Sequence, residues 1–262
     1  MLEERKGPGR TLRRIDGTSG GRTVRVRGAD GPVKQVQPDS FTGVDIALFS
    51  AGGAASLTYA PEAAARGCVV VDNSSAWRMD PAVPLVVSQV NPGALTMHNG
   101  IVANPNCSTM QLAPLLKALS DAAGLERVVV ATYQAVSGAG AKAVADLDQQ
   151  RASVVSGGTP ASTIYPHAVV SSPIPAIDVF LPDGSTKEET KVVTESRKIL
   201  DLPSLRIQPK KPGFYYSVPL VMTSVIMVRS TQAPLNSKKN LSRKSMSIEE
   251  LRDFYAQKKF AP

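Results

Sequence analysis

Polar and apolar positions alternate with period two along Arg22-Thr23-Val24-Arg25-Val26-Arg27, Gly28 to Gly31 predicts a turn, and Val33 to Val36 alternates again before the run Asp45 to Phe49. A helix is expected from Ser56 to Arg66, with Pro61 inside it, followed by the buried-strand pattern Cys68 to Val71. The strand Ile101 to Ala103 leads through Asn104, Pro105 and Asn106 into an amphipathic helix from Cys107 to Ala118, whose apolar side carries Met110, Leu112, Leu115, Leu116 and Leu119. A strand from Arg127 to Tyr133, a Gly-rich loop and a helix from Lys142 to Arg151 come next. Residues 152 to 176 are rich in Ser and Pro and read as an irregular excursion. Ile177 to Leu181, the turn Pro182-Asp183-Gly184 and a helix from Lys187 to Ile199 follow. Ser247 and Glu250 form a capping-box pattern that predicts a final helix from Ile248 to Lys258. Strands alternating with helices predict an α/β architecture with largely parallel pairing at its start.

Composition narrows the class. The chain has 262 residues, 42% of them apolar and 20% charged, and a mean hydropathy of -0.06, which excludes a disordered, collagen-like or coiled-coil chain. The longest apolar runs, Val128 to Thr132 and Val218 to Val228, are shorter than the roughly 20 residues that cross a bilayer, so no membrane span is expected. Met1 to Lys6 lacks the apolar stretch of a signal peptide, which makes a cytoplasmic location the expectation. Two cysteines, Cys68 and Cys107, and two histidines argue against a disulfide scaffold and against a metal centre. The net charge of +8 lies entirely in residues 205 to 262, which hold 11 Lys and Arg against 3 Asp and Glu, while the remainder of the chain is balanced. That Lys- and Ser-rich run has no interleaved stacking aromatics, so it reads as a solvated segment and no nucleic-acid partner is expected.

The strongest chemical signal is Asn104-Pro105-Asn106-Cys107-Ser108-Thr109 at a strand-to-helix junction. A cysteine at a helix start meets unpaired backbone N–H groups and the positive end of the dipole, which lower its pKa and make it nucleophilic. The other reading is a buried structural cysteine. Cys68, inside an apolar strand, takes that structural reading. Gly138-Ala139-Gly140-Ala141-Lys142-Ala143 fits a dinucleotide fingerprint in form, yet it lies mid-chain with no acidic ribose ligand in place, so a cofactor-contacting loop and an ordinary turn both remain open. Ser50-Ala51-Gly52-Gly53 is a second place where backbone could approach a dinucleotide, or a plain strand-end turn. Arg78, in the loop after Asp72, is either a phosphate-binding guanidinium or a solvated side chain.

Taken together, the runs Asp45 to Gly53, Val70 to Ser75, Asn104 to Thr109, Tyr133 to Gly140, Ile177 to Phe180 and Thr186 to Lys191 resemble aspartate-semialdehyde dehydrogenases, and the match reaches residue 207. The resemblance implies a partial Rossmann-like nucleotide domain plus an α+β catalytic and dimerisation domain, divided as residues 1–106 and 107–230, with 231–262 a basic linker and a helix returning to the first domain. It implies a homodimer and an NADP-dependent interconversion of aspartate semialdehyde plus phosphate with aspartyl phosphate, early in lysine, methionine and threonine biosynthesis. In that reading Cys107 attacks the aldehyde, hydride loss to NADP leaves a thioester, and phosphate resolves it. Gln134 orients the substrate. Arg78 and Lys191 are phosphate ligands, Asn106 is a further substrate- or phosphate-binding residue, and Glu188 contacts the substrate ammonium. Ser19, Ser50, Ala51, Gly52, Asn73, Ser137 and Gly138 contact the cofactor. For Glu188 and Lys191 the alternative is a surface charge pair on a first helical turn.

Two departures from the family pattern bear on activity. The first strand and Gly-rich phosphate loop are not recognisable before Met1 to Lys6, which resembles the end of the first helix and leaves an expected sheet edge uncovered. Toward the other end, the substrate-carboxylate arginine and general-base histidine of the family fall on Ser217 and Ser224. The alternative function is therefore a catalytically impaired homologue that keeps a dimerisation or structural role.

Overall fold

The computed structural model describes residues 11–17, 21–26, 28–174 and 177–209, together with the backbone of 214–216 and 223–229. Its first elements are small: β1 (Ile15–Asp16), β2 (Thr23–Val26), β3 (Ala29–Pro32) and β4 (Lys34–Gln35). Strand β2 pairs antiparallel with β3, and β1 pairs parallel with β4. The expected turn at Gly28 to Gly31 is therefore mostly strand. Only the tight reversal at Gly28, where φ is +73°, bends the chain, and Ala29 to Pro32 runs straight back along β2.

The parallel unit follows as β5 (Ile46–Phe49), α1 (Gly53–Ala65), β6 (Val69–Asp72) and β7 (Ile101–Ala103), with strand order β5-β6-β7. Helix α1 starts three residues before the expected Ser56 and runs through Pro61. Its buried positions Ser56, Ala60 and Ala63 are small, which lets the helix lie close to the sheet. Ala47, Phe49 and Val70 share that core with Phe41, Cys68, Leu85 and Ile101. On the other face of β5, Ile46 and Leu48 are exposed, and among the described residues β5 pairs with β6 only.

Helix α2 (Cys107–Ala123) buries Leu112, Ala113 and Leu116, and runs five residues past the expected Ala118 until Gly124 ends it. Strand β8 (Arg127–Ala135) is the spine of the second sheet. A 3-10 turn at Val136–Ala139 joins it to α3 (Ala141–Val155), whose Leu147 packs with Val136, Val169, Ile174 and Ile177. The excursion after α3 is irregular as expected. Residues 177–186 form a loop closed by the bridge Phe180 to Thr186, with Asp178 in the left-handed region at φ +66°.

Helix α4 (Lys187–Leu200) begins at a capping box that sequence reading did not mark: Thr186 Oγ1 accepts from the Glu189 amide and Glu189 Oε2 accepts from the Thr186 amide at 2.6 Å. Strands β9 (Arg206–Pro209) and β10 (Phe214–Tyr216) pair parallel with one edge of β8, and β11 (Thr223–Arg229) pairs antiparallel with the other. Helix α4 belongs to two cores, since Val192 packs with Leu112, Leu116, Val128 and Ile207 while Ile199 joins the core of the first sheet. The expected helix Ile248 to Lys258, the segment 231–262, Ser217 and Ser19 lie outside the described residues. Among the described residues, no helix is long and apolar enough to cross a membrane, and no cluster of His, Cys, Asp and Glu could hold a metal ion.

Candidate active site

The C-terminal ends of β5, β6 and β7 converge, as open parallel sheets require of their ligand sites. The Asn73 amide donates to Phe49 O at 2.9 Å, the Asn104 amide to Asp72 O at 2.8 Å, and Asn104 Nδ2 to Asn73 Oδ1 at 2.8 Å. Ser50, Ala51 and Gly52 are exposed at the end of β5, and Gly52, at φ +87°, is the N-cap of α1 with no side chain capping the helix. No side chain caps the first amides of α1, and Asn73, after β6, is exposed as well.

Asp72 is buried and accepts from Ser74 N at 3.1 Å and Ser74 Oγ at 2.6 Å, a local turn that carries the chain to Arg78. Arg78 is buried, not solvated. Its Nε donates to Asn104 O at 2.9 Å, Nη2 to Asn73 O at 2.9 Å and Nη1 to Glu195 Oε1 at 3.0 Å.

Asn106 caps α2: its Oδ1 accepts from the Ser108 amide at 2.9 Å and the Thr109 amide at 3.3 Å. Its own amide donates to Glu195 Oε2 at 2.7 Å, and its Nδ2 to Glu188 Oε2 at 3.0 Å. Ser108 Oγ completes the contact with Glu188 Oε1 at 3.1 Å. Glu188 is therefore buried against both neighbours of Cys107, which removes the surface-pair reading. Lys191 Nζ lies 2.7 Å from Asp178 Oδ2 and 3.5 Å from Glu188 Oε2. Burial depresses the Lys191 ammonium, and the hydrogen bond to Asp178 with the charge of Glu188 more than restores it, leaving its pKa raised.

Cys107 is the first residue of α2 and is exposed, whereas Cys68 is buried, as its structural reading expects. The expected lowering of the Cys107 pKa is not what the folded chain produces. Desolvation by the surrounding protein pushes the thiol up, and the negative charge of Glu188 adds to it. Hydrogen bonds from Ser108 and from the backbone at Cys107 pull the other way and are outweighed.

A second group sits at the end of β8. Gln134 is buried, its Oε1 has no hydrogen-bond partner among the described residues, and its amide lies against Gly138 so closely that a Cβ there would be 2.1 Å from Nε2. Ser137 and Gly138 are exposed in the turn that follows. On the neighbouring strand, Ser224 stands opposite Thr132 in the β11 register, one position from Tyr133. Of the histidines, His98 Nδ1 accepts from the Gly100 amide at 3.0 Å, a local turn contact, and His167 is exposed.

Comparison with known proteins decides the ancestry. The family described as semialdehyde dehydrogenase, NAD binding domain, matches residues 10–98, and that described as semialdehyde dehydrogenase, dimerisation domain, matches residues 116–233. The crystal structure of aspartate semialdehyde dehydrogenase II from Vibrio cholerae superposes with a TM-score of 0.83 at 39% identity, covering 87% of this chain and 69% of that one. The chain belongs to the aspartate-semialdehyde dehydrogenase family. The Aquifex aeolicus aspartate-semialdehyde dehydrogenase is 48% identical over 204 residues, 75% of this chain and 60% of the relative. The Bacillus subtilis enzyme is 45% identical over 196 residues, 72% of this chain and 57% of the relative. The chain thus spans about three fifths of the length of these curated relatives. Its mixed α/β fold, with a Rossmann-type NAD-binding domain and a dimerisation domain, is that of the family.

Within this family fold, the structure brings Arg78, Asn106, Glu188 and Lys191 into one assembly of hydrogen bonds and ion pairs around the chain at Cys107, and sets Ser50 to Gly52 close in the chain to Phe49, whose carbonyl accepts from the Asn73 amide. It adds residues that sequence reading missed: Glu195, Lys198 and the partner role of Asp178. The signal that could have found them was the charge spacing of α4, where Glu188, Lys191, Glu195 and Lys198 follow one another at intervals of one helical turn.

Proposed function

We propose that the chain carries the site of an NADP-dependent, phosphorylating aspartate-semialdehyde dehydrogenase, divided as residues 1–106 and 107–230 with a C-terminal segment 231–262. The observation that carries this reading is the exposed Cys107 at the start of α2, whose chain neighbours Asn106 and Ser108 are hydrogen-bonded to Glu195 and Glu188, the carboxylates that pair with Arg78 and Lys191. The Vibrio cholerae relative has also been crystallised complexed with ASA.

In this reading the Cys107 thiol loses its proton to solvent water, Sγ forms the bond to the aldehyde carbon, and the former carbonyl oxygen takes up a proton from solvent, giving a thiohemiacetal. Glu188 receives the substrate ammonium. That contact cancels the negative charge that helps to hold the thiol up, so the nucleophile ionises more readily once substrate is in place. Arg78 keeps an N–H on each terminal nitrogen beyond its protein bonds, and with Lys191 it receives phosphate, whose oxygen displaces Cys107 Sγ from the acyl carbon. Asp178 must yield Lys191 to that anion. Gln134 Oε1, buried without a partner among the described residues, is suited to accept a hydrogen bond from substrate.

The residues present fit a dinucleotide: the uncapped start of α1 at Gly52, where a Cβ would meet nothing within 4 Å, offers amides to a phosphate beside Ser50, Ala51 and Asn73. Ser137 and Gly138 would flank its other end, and Ser19 belongs to the same proposed set. When bound, the nicotinamide supplies the hydride acceptor. A homodimer through the dimerisation domain and a cytoplasmic location complete the proposal.

A second reading, an impaired homologue with a dimerisation or structural role, is favoured by Ser217 and Ser224 standing where the resemblance expects arginine and histidine. Loss of a general base costs about 10²- to 10⁴-fold. Phosphate-dependent NADP reduction with aspartate semialdehyde, measured on the full chain and on Cys107→Ala, decides between them. Turnover that disappears in the variant is the expected result, and a folded chain without turnover supports the second reading.

A further inference from the structure

The charges along α4 do two things. Glu188 and Lys191 face the candidate site, while the next turns hold Arg78. Glu195, 1% exposed, accepts from Arg78 Nη1 with Oε1 at 3.0 Å and from the Asn106 amide with Oε2 at 2.7 Å. Lys198 Nζ donates to the carbonyls of Arg78 at 2.8 Å, Asp80 at 2.7 Å and Val83 at 2.9 Å. Side chain and main chain of Arg78 are thus both gripped from one helix. Burial pushes the Glu195 carboxyl above the ordinary carboxylate value, and the Arg78 charge with the hydrogen bonds to both oxygens pulls only part of the way back.

We propose that Glu195 is a positioning residue whose single carboxylate fixes the Arg78 guanidinium to the amide that precedes Cys107, so that cation and thiol keep one relative placement. The inference rests on the reading of Cys107 as nucleophile and Arg78 as anion ligand. Two simpler roles make different predictions. As a mere negative charge, Glu195 would repel anions, and neutralising it would favour their approach. As mere packing, its loss would change the reactivity of Cys107 toward every reagent alike. Positioning predicts that removing the carboxylate disfavours anions in particular, because the guanidinium leaves its place. The other charged groups facing this point are Glu188 and Lys191 from α4, with Asp178 against Lys191 from the 177–186 loop.

The test compares Cys107 alkylation by iodoacetate and by iodoacetamide in the full chain and in Glu195→Gln, followed on the Cys107 peptide by mass spectrometry. The ratio of iodoacetate to iodoacetamide rates is expected to fall about fivefold in Glu195→Gln, the size of the effect that one unit charge exerts through water at ~4 Å. A rise in the ratio, or both rates changing together at constant ratio, overturns the proposal. Where Glu195→Gln does not fold, Glu195→Asp keeps the charge but shortens the reach, and must show the same fall. Turnover is measured separately on the unsubstituted chain: its absence would sink the proposed activity, whereas the alkylation ratio alone decides the role of Glu195.

Discussion

Asn106 Nδ2 donates to Glu188 Oε2 at 3.0 Å while Asn106 Oδ1 accepts from the amides of Ser108 and Thr109. One side chain therefore caps the helix that begins at Cys107 and holds a buried carboxylate over it. Asn106→Ala removes both functions. The lost cap costs about 1 kcal/mol and the lost hydrogen bond to a charged partner about 1.5–3 kcal/mol. Urea unfolding is expected to show a loss of roughly 2–4 kcal/mol with an unchanged denaturant slope. A loss within a few tenths of a kcal/mol would mean that water or a neighbour replaces the cap.

Glu188→Gln separates the electrostatic role of this carboxylate from its proposed contact with substrate. Its charge is one of the influences that raise the Cys107 thiol, second to burial, so removing it lowers the pKa. The pH profile of Cys107 alkylation by iodoacetamide is expected to shift toward lower pH, with a faster rate at neutral pH. Turnover is expected to fall in the same variant because the ammonium loses its partner. An alkylation profile shifted upward contradicts the placement of Glu188 beside the thiol.

How much of this was legible along the chain depends on the range of the interaction that decides it. The parallel unit from Ile46 to Ala103 showed itself because its apolar runs, Ile46 to Phe49, Cys68 to Val71 and Ile101 to Ala103, are each contiguous in the chain and the first two are separated by a helical stretch. Strand β9 did not, since Arg206-Ile207-Gln208-Pro209 offers one buried position, Ile207, and owes its conformation to pairing with β8. The junction at Cys107 is local, and its helix start was found where the Asn-Pro-Asn run placed it. The direction of its pKa is not local. Glu188 lies 80 residues beyond Ser108 in the chain, and a carboxylate brought there by folding works with burial to reverse what the helix start alone would do. The same holds for Glu195, which is 117 residues from the arginine it holds.

Gly138 is placed by contact and not by backbone freedom. A Cβ at this position would lie 2.1 Å from Gln134 Nε2 and 3.0 Å from its Cγ, so Gly138→Ala must displace the Gln134 side chain. Because the far end of that side chain can swing, the fold is expected to tolerate the change, with a shift in stability below about 1 kcal/mol. If Gln134 orients substrate, kcat/KM for aspartate semialdehyde falls about 10²-fold, the penalty of a misplaced positioning group. Unchanged kinetics in Gly138→Ala would remove Gln134 from the site.

Asp146 governs how the excursion after α3 is held, and its effect depends on pH. Its buried carboxylate accepts from Thr163 N and Oγ1, both at 2.8 Å, from Ser162 Oγ at 2.7 Å and from Gln150 Nε2 at 2.6 Å. Burial alone would raise its pKa, but these donors outweigh it and hold the carboxyl below the ordinary carboxylate value. In the pH interval between the folded and unfolded pKa values the unfolded chain binds the extra proton, so stability rises with pH there. The contribution is complete above the unfolded value of about 4 and is lost as pH falls through the lowered folded value. Asp146→Asn is therefore expected to melt below the unsubstituted chain at neutral pH, with the two melting temperatures converging in acid. Gln150 Oε1 accepts from the Val169 and Val170 amides, so loosening Asp146 should also speed amide exchange across 162–170. A difference in melting temperature that stays constant into acid would assign the loss to packing and not to the carboxylate.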